Sequence, residues 1–380
     1  MDDFGELIDG SKPIEVELDA YVIAESHRVW KASAGKTHRF YKAVRDAHTV
    51  FPDVRGLDGL EGAPSTWRDE DLLPLIAADR WERELASRER GNKPQSAEGI
   101  GAQDRGVLTF LKRLWHEAAK GDLVVVPAEG YRENVLIGEF LTEAGDIRRV
   151  EAKDGEFTGG FYGRPVAWRI GLPKLLLDED LIAALHTRAA VFTLGETEKE
   201  SVYRLAYSNF VYKGRFVAEF RTTKNRFTAE DHAVLATWLN AFDVLRDSIE
   251  RGETRPESFA ELGLEKLPDE RAAELKIDIQ SPGEVFVRSV SPFALSLMAL
   301  FALSACDSKQ VGDNRVTVRL KHVGGHDNAI EKAVEEDVNA IKAALGEARI
   351  EQQANLARRA RGDAYVSTRA TLKFEGKGSK

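Results

Sequence analysis

The sequence predicts an α+β fold, because strand-like and helix-like stretches are mixed along the chain and no internal repeat is visible. Hydrophobic residues make up 43% of the 380 residues and charged residues 31%, a composition typical of globular domains with substantial cores. The C-terminal part has the order strand, helix, strand, helix, strand, which we interpret as an α+β domain. A chain of this length accommodates two or three domains of roughly 100–200 residues each.

Apolar spacing and turn-forming residues predict the elements of the N-terminal half. In order, they are a strand at 15–25, a short helix within 36–51, a helix at 68–90, a loop at 90–106 and a helix at 107–121. Pro74 interrupts or starts the helix at 68–90. Gly121 ends the helix that precedes it.

A hairpin is predicted at residues 121–140, GDLVVVPAEGYRENVLIGEF. Two apolar runs flank a turn rich in Gly, Pro and Glu, and such runs bounded by turn residues indicate buried strands. Residues 160–171, GFYGRPVAWRIG, predict a further strand that places Trp168 next to the hairpin. Residues 178–194 then predict a helix that runs into a strand.

The remaining elements follow from the same signals. In order, they are a β-like stretch at 201–223 with a turn at 213–214, a helix at 227–252, a polar linker at 252–270, a strand at 284–290, a helix at 292–305, a strand at 315–323, a long helix at 326–360 and a strand at 363–375. Thr228 and Asp231 have the spacing of a helix N-cap and its partner. A helix from Pro292 to Cys306 would span about 22 Å, less than the roughly 30 Å of a bilayer core. We therefore expect a buried helix and no membrane partner.

Charge and cysteine content limit the classes of function. The net charge is −9, so any nucleic-acid contact must come from a local basic face. Cys306 is the single cysteine, which excludes a disulfide framework and favours a reducing compartment. Residues 1–13 lack the basic and apolar regions of a secretion signal, so we expect a cytoplasmic protein.

Three motifs of the N-terminal half resemble the PUA/EVE-like domains of modification-dependent restriction proteins. They are GDLVVVP at 121–127, VLIGEF at 135–140 and RPVAW at 164–168. Upstream, VWKASAGKTHRFYKAV at 29–44 is similar to the opening loop of that family, although it is looser in glycine, and Tyr162 stands where the family often has histidine. The resemblance covers about residues 15–195. It implies a small β-barrel with helices and a pocket for a flipped or modified base.

The resemblance directs attention to the opening loop and the hairpin turn as a base-binding region. The candidate base-binding residues are Trp30, Lys36, Arg39, Phe40, Tyr41 and Tyr131. A flipped base needs an aromatic surface for stacking and polar groups at its hydrogen-bonding edge. Each aromatic residue has an alternative place in the core of a small barrel. The basic residues predicted to bind phosphate are Arg132, Arg164, Arg319, Lys321 and Arg369.

The last three of these basic residues belong to the predicted strands at 315–323 and 363–375, where apolar and basic residues alternate. If the two strands join one sheet, its apolar face meets the helices and its outer face is basic. Such a face is either a phosphate-binding surface or an ordinary solvated one.

No catalytic, metal or cofactor site is predicted. Restriction-type nucleases usually combine a carboxylate with an E-x-K sequence on a strand. Glu274 and Lys276 have this spacing, but the surrounding RAAELK indicates a helix or a loop. The sequence HVGGH at 322–326 is more typical of a turn than of a metal site.

The sequence therefore predicts three parts: a PUA/EVE-like base-reading domain at 1–195, strands and a helix at 196–255, and an α+β domain at 271–380. We expect a sensor or specificity protein in bacterial restriction or antiphage defence. Its expected partners are DNA or another nucleic acid, read through a modified base, and an effector protein. Two alternatives stay open, namely a nuclease with an unrecognised active site and a sensor of a nucleotide-like small molecule.

Overall fold

The computed structural model describes residues 13–89, 99–130, 132–154, 157–187, 189–253, 255, 257–269, 272–278, 283–306, 308–325 and 328–374. The chain forms two compact units. The inserted unit comprises residues 26–206, and the discontinuous unit comprises residues 1–25 and 207–380. This division differs from the predicted domains, because the strand predicted at 15–25 pairs with C-terminal strands and not with the hairpin.

Helices and strands alternate irregularly along both units. Numbered along the chain, the strands are β1 (Ile14–Ile23), β2 (Val29–Ala32), β3 (Thr49–Val50), β4 (Leu123–Val126), β5 (Asn134–Phe140), β6 (Arg148–Asp154), β7 (Phe157–Pro173), β8 (Val191–Thr193), β9 (Phe210–Tyr212), β10 (Arg215–Thr222), β11 (Glu274–Asp278), β12 (Gly283–Ser289), β13 (Val316–Val323), β14 (Val366–Ser367) and β15 (Ala370–Phe374). The α-helices are α1 (Tyr41–Ala47), α2 (Asp69–Glu89), α3 (Ala102–Lys112), α4 (Glu179–Leu185), α5 (Glu196–Tyr207), α6 (Ala229–Glu250), α7 (Phe259–Leu262), α8 (Phe293–Leu303), α9 (Ser308–Asp313) and α10 (Asn328–Gly362). A π-helical turn at Arg113–Glu117 continues α3. The predicted α+β class is confirmed.

The sheet of the inserted unit has the strand order β3-β7-β5-β4-β2-β8, with β6 paired to β7, and forms a half-barrel. Strands β4 and β5 pair antiparallel, as predicted for the hairpin, and β7 pairs antiparallel with β5. Trp168 lies opposite Gly138 in this register, which confirms the predicted neighbour of the hairpin. A Cβ atom on Gly138 would lie 2.7 Å from Cε3 of Trp168, so this close approach requires glycine.

The apolar composition of the hairpin follows from its position within the sheet. All four residues of β4 are fully buried, and Val135 and Ile137 of β5 are buried to the same extent. A strand that has no solvent-facing side reads as a continuous apolar run. Large side chains from distant parts of the chain complete this core, among them Trp30, Phe40, Phe51, Trp115 and Phe161.

The sheet of the discontinuous unit has the strand order β11-β12-β10-β9-β1-β13, with β14 paired to β10 and β15 paired to β1. The inward side chains of β1 join a core with helices α6, α8 and α10. Helix α8 is buried from Phe293 to Leu303, which confirms the predicted buried helix. No helix among the described residues has the length and apolar character needed to cross a membrane.

The β-like prediction for 201–223 was wrong over its first seven residues. Residues 201–207 form the C-terminal half of α5, and the β-hairpin of β9 and β10 begins only at Phe210. Val202, Tyr203 and Tyr207 favour strands by propensity, but on this helix all three are buried. Packing outweighs a propensity whose whole range is about 1 kcal/mol.

Three other elements differ from the predictions. Helix α3 begins at Ala102 and not at residue 107, because the Asp104 side chain accepts a 2.8 Å hydrogen bond from the backbone N–H of Gly101. Residues 274–278 form an edge strand, β11, paired antiparallel to β12, where a helix or loop was predicted. The predicted linker at 252–270 contains α7, which is anchored by a buried Phe259 and Leu262.

Candidate functional site

Two of the predicted base-binding residues belong to the core of the inserted unit. Trp30 is 2% exposed, and its Nε1 donates a 2.9 Å hydrogen bond to Oδ2 of Asp122. Phe40 is 1% exposed and packs against Phe51 and Phe161, with ring centroids 5.7 and 4.7 Å away. Neither ring offers a free face to a base, so both occupy the alternative place in the core.

The loop between β2 and α1 has a strained backbone. Gly35, Thr37 and His38 have positive φ angles of 79°, 54° and 55°. The left-handed region costs a residue with a Cβ atom about 1–2 kcal/mol. Two such residues within one loop therefore need support from their surroundings, and strain of this kind concentrates at functional sites. At Gly35 a Cβ atom would lie 2.9 Å from Cδ2 of Phe40, so glycine is required there.

The carboxylate of Asp53 supports this loop. It accepts hydrogen bonds from Nη2 of Arg39 at 2.8 and 2.7 Å and from the backbone N–H of Lys36 at 3.4 Å. Arg83 lies 2.9 Å from the same carboxylate. Burial by itself raises the pKa of Asp53, but the hydrogen bonds from Arg39 and Arg83 outweigh burial and hold the pKa below its ordinary value. Arg39, predicted to bind a base, is thus engaged in positioning the loop.

His38 extends from the loop into a polar cluster that sequence analysis did not select. Burial lowers the pKa of His38, and the ammonium groups of Lys174 and Lys31 lower it further, against the opposing effects of Glu129 and of a hydrogen bond to the Pro127 carbonyl. The imidazole is therefore neutral near pH 7. Among the residues that the structure describes, none forms a hydrogen bond with its buried Nδ1 atom. We use the name His38 cluster for His38, Lys31, Lys174, Glu129 and the Pro127 carbonyl.

Both lysines of the His38 cluster are buried. Lys31 is 2% exposed, and burial lowers its pKa to about 8. Its Nζ donates to three uncharged oxygens: Ser33 Oγ at 2.7 Å, the Ala189 carbonyl at 2.6 Å and the Thr187 carbonyl at 3.2 Å. Lys174 is 3% exposed and donates to the carbonyl of Ala128 at 2.8 Å, and burial lowers its pKa as well. Positive charge is thus concentrated where the effective dielectric constant is low.

Tyr41 connects the loop to the hairpin. Its hydroxyl donates a 2.5 Å hydrogen bond to the carbonyl oxygen of Asn134, the first residue of β5. The ring is half-buried, and burial raises the pKa of the phenol. Lys36 on the loop and Arg132 on the hairpin turn are exposed, while Tyr131 lies outside the described residues. Among the predicted aromatic residues that the structure describes, Tyr41 alone keeps an accessible surface, and the exposed Lys36 and Arg132 belong to the loop and the turn on either side of its hydrogen bond.

Arg164 is a buried residue that supports the fold of the inserted unit. It is fully buried, and its guanidinium donates to three carbonyl oxygens at the π-helical turn after α3: Ala118 at 2.9 Å, Trp115 at 3.3 Å and Leu114 at 3.4 Å. Helix ends leave carbonyl groups without intrahelical partners, and Arg164 satisfies them. Its guanidinium is not accessible to a phosphate, so the predicted phosphate-binding role does not apply.

The outer face of the sheet in the discontinuous unit is balanced in charge. Each predicted cation on it lies next to a carboxylate: Arg319 lies 3.6 Å from Glu15, Lys321 donates to Asp19 at 2.5 Å, and Arg369 lies 3.9 Å from Asp19. Exposed ion pairs of this kind contribute about 0–1 kcal/mol each. Because the charges are paired, this face lacks the excess positive charge that was predicted for it.

The E-x-K spacing lies on a strand, contrary to the prediction. Glu274 and Lys276 belong to the edge strand β11, and the Glu274 carboxylate lies 3.4 Å from Nη1 of Arg288. Within the described part of the chain, no group of three or more His, Cys, Asp or Glu side chains could hold a metal ion. The position of the E-x-K spacing on a strand supports the nuclease alternative, but the described residues offer no metal-binding cluster for it.

Comparison with known proteins adds no assignment. A scan against family profiles, a search of curated proteins and a search of solved structures each found no match to this chain. A functional interpretation therefore depends on the geometry of the site and on the motifs of the inserted unit.

Proposed function

We propose that the inserted unit reads nucleic acid, with the loop between β2 and α1 and the turn of the hairpin receiving a base. The observation that carries this proposal is the strained loop, in which Thr37 and His38 adopt left-handed conformations. Asp53 holds this loop through hydrogen bonds from Arg39 and Lys36. The buried Lys31 and Lys174 lie close enough to His38 to contribute to its lowered pKa. A polar group that is held rigidly before binding loses less entropy on binding. The motifs that resemble PUA/EVE-like domains lie in the same unit and support the same interpretation.

The residue types around this loop suit a base that is turned out of the helix stack. Tyr41 offers a half-buried ring, and stacking contributes about 1–3 kcal/mol per base. His38 supplies a polar atom for the hydrogen-bonding edge of the base. The exposed Lys36 and Arg132 are available to the flanking phosphates.

A base reader without a recognisable catalytic centre acts as a sensor or specificity protein, and the resemblance points to bacterial restriction or antiphage defence. The discontinuous unit would then contact the effector protein. The net charge of −9 opposes strong sequence-independent binding to phosphates, so discrimination must come from the base.

Fluorescence anisotropy with the full-length protein tests the proposal. The probes are duplexes that carry no modification, 5-methylcytosine, 5-hydroxymethylcytosine or N6-methyladenine, each at two salt concentrations. We expect one modified duplex to bind at least about tenfold more tightly than the unmodified one, a difference of 1.4 kcal/mol. Lys36→Ala should weaken binding to all duplexes alike and reduce the salt slope by about one. Lys332→Ala, which removes an exposed lysine of the discontinuous unit, is the matched control and should change neither quantity.

Other outcomes of this titration favour the alternatives. Equal failure of all four duplexes would reject the proposal and leave the small-molecule sensor as the leading function. Cleavage of a duplex that depends on added Mg²⁺ would identify a nuclease.

A further inference from the structure

The Nδ1 atom of His38 is the starting observation. It is buried, and none of the described residues forms a hydrogen bond with it. Buried polar atoms of native proteins nearly always have a partner, so an exception needs an explanation. The residue that carries this atom also has a φ angle of 55°, in a loop that Asp53 braces. The protein therefore maintains a strained conformation that leaves a hydrogen-bonding atom without a partner among the described residues.

The tautomer of the ring follows from the same contacts. The Pro127 carbonyl oxygen favours a proton on the ring, and because Nδ1 has no partner among the described residues we assign this proton to Nε2. In a neutral imidazole with hydrogen on Nε2, Nδ1 carries a lone pair and can only accept.

The surrounding charges keep Nδ1 in this state. Lys31 and Lys174 lie close enough to lower the pKa of the ring, and protonation of Nδ1 would add a third positive charge to the cluster. Glu129, the acidic neighbour, is exposed and only partly offsets the two lysines. At pH 7 and above, Nδ1 of His38 therefore acts as a hydrogen-bond acceptor.

We infer that Nδ1 of His38 accepts a hydrogen bond from an N–H group of the ligand and so determines the specificity of the site. The chemical class of the donor rests on the proposed function: among nucleobases, adenine, cytosine and guanine present an exocyclic amino group, whereas thymine does not. A site built to pair with an N–H group rejects an analogue that lacks it, because the buried acceptor then stays unpaired. The two lysines add a preference for ligands with an oxygen or a negative charge beside that amino group.

A matched pair of variants tests the acceptor in the full-length protein. His38→Gln keeps a hydrogen-bond acceptor, whereas His38→Leu removes it, and both side chains face the same backbone strain at this position. With the most tightly bound duplex, we expect His38→Leu to weaken binding about tenfold and His38→Gln to stay within about threefold of the native protein. Equal affinities of the two variants would overturn the inference.

A second measurement separates this inference from the proposed function. In protein with ¹⁵N-labelled histidine, His38 should show the Nε2–H tautomer at pH 7. Adenosine or cytidine should shift its Nδ1 resonance, while N6,N6-dimethyladenosine and N4,N4-dimethylcytidine, which lack the N–H donor, should not. A proton on Nδ1, or the same response to methylated and unmethylated nucleosides, would overturn the inference even if duplexes bind. A shift of the Nδ1 resonance by the unmethylated nucleosides alone, in a protein that binds none of the duplexes, would support the inference and reject the proposed nucleic-acid function.

Discussion

The backbone N–H of Val318 donates a 2.9 Å hydrogen bond to Oε1 of Glu335, and this contact is part of a series along strand β13. The other two contacts join Leu320 N–H to Glu331 at 2.8 Å and Val316 N–H to Asn339 at 3.1 Å. The three acceptors are spaced four residues apart on α10 and so share one face of the helix. Strand β13 ends the sheet, and free N–H groups on such a strand attract other chains. The helix therefore closes this edge.

Removing this series should both destabilise the protein and open the edge. We expect Glu335→Ala to lower the free energy of unfolding by about 1 kcal/mol, the usual contribution of such a hydrogen bond. The triple variant Glu331→Ala/Glu335→Ala/Asn339→Ala should also self-associate more strongly than the native protein, in analytical ultracentrifugation. Glu336→Ala, on an exposed face of the same helix, is the control. A triple variant with native stability and native sedimentation would show that the series does not protect the edge.

Trp30 should behave as a core residue. Trp30→Ala should lower the free energy of unfolding by about 3–5 kcal/mol, because it leaves a cavity and removes one of the hydrogen-bond donors to Asp122. Trp30→Phe keeps most of the volume and loses only the 2.9 Å hydrogen bond to Asp122, so the loss should be about 1–3 kcal/mol. Urea unfolding monitored by circular dichroism measures both. Native stability of Trp30→Ala together with weaker DNA binding would instead assign Trp30 to base stacking.

Asp53 should contribute stability that is lost in acid. Its pKa is lower in the folded protein than the ordinary value of 3.8, so the unfolded chain takes up the proton first as the pH falls. The contribution is complete above pH 3.8 and disappears as the pH falls through the folded pKa. Asp53→Asn should cost about 1.5–3 kcal/mol at pH 7 and less at pH 3. The measurement is the unfolding free energy of both proteins from pH 7 to pH 3, and a difference that stays constant would refute it.

Lys31 should also make the protein more stable as the pH rises, but over an alkaline interval. Its pKa is about 8 in the folded protein against an ordinary 10.5, so between these values the unfolded chain holds a proton that the folded protein has lost. Stability from this residue therefore rises with pH across that interval, by about 3 kcal/mol in all for a pKa change of this size. The test compares the native protein with Lys31→Met, which has no titrating group, between pH 7.5 and pH 10.5. Parallel stability curves would show that Lys31 titrates normally.

Local patterns were sufficient for much of the secondary structure. The hairpin at 121–140 was predictable because its apolar runs report burial on both faces, and the start of α6 because Thr228 and Asp231 form a capping box. Helix α8 was predictable from its length and apolar content. In each case the information lies within a few consecutive residues.

The residues of the candidate site were predicted less well, because burial depends on contacts between distant segments. Trp30 and Phe40, which were predicted to stack on a base, are core residues. The guanidinium of Arg164 donates its hydrogen bonds to carbonyl groups at the end of another helix. Lys31 had one local signal, its place in the apolar strand VWKA, whereas His38 had none.

By itself the sequence determined the α+β class, the hairpin, the buried helix and, to within two residues, the bounds of α2, α6, α8 and α10, because hydrophobic period, capping and turn residues act over short distances. Only the tertiary structure decided that β1 pairs with β13 and β15, from which the inserted unit separates it in sequence. It also decided that α5 is helical although several of its residues favour strands. It further decided which charges are paired and that two buried lysines lie close enough to His38 to contribute to its lowered pKa. These properties arise from packing between residues far apart in the chain, and the energies of packing and desolvation exceed the local preferences that a sequence displays.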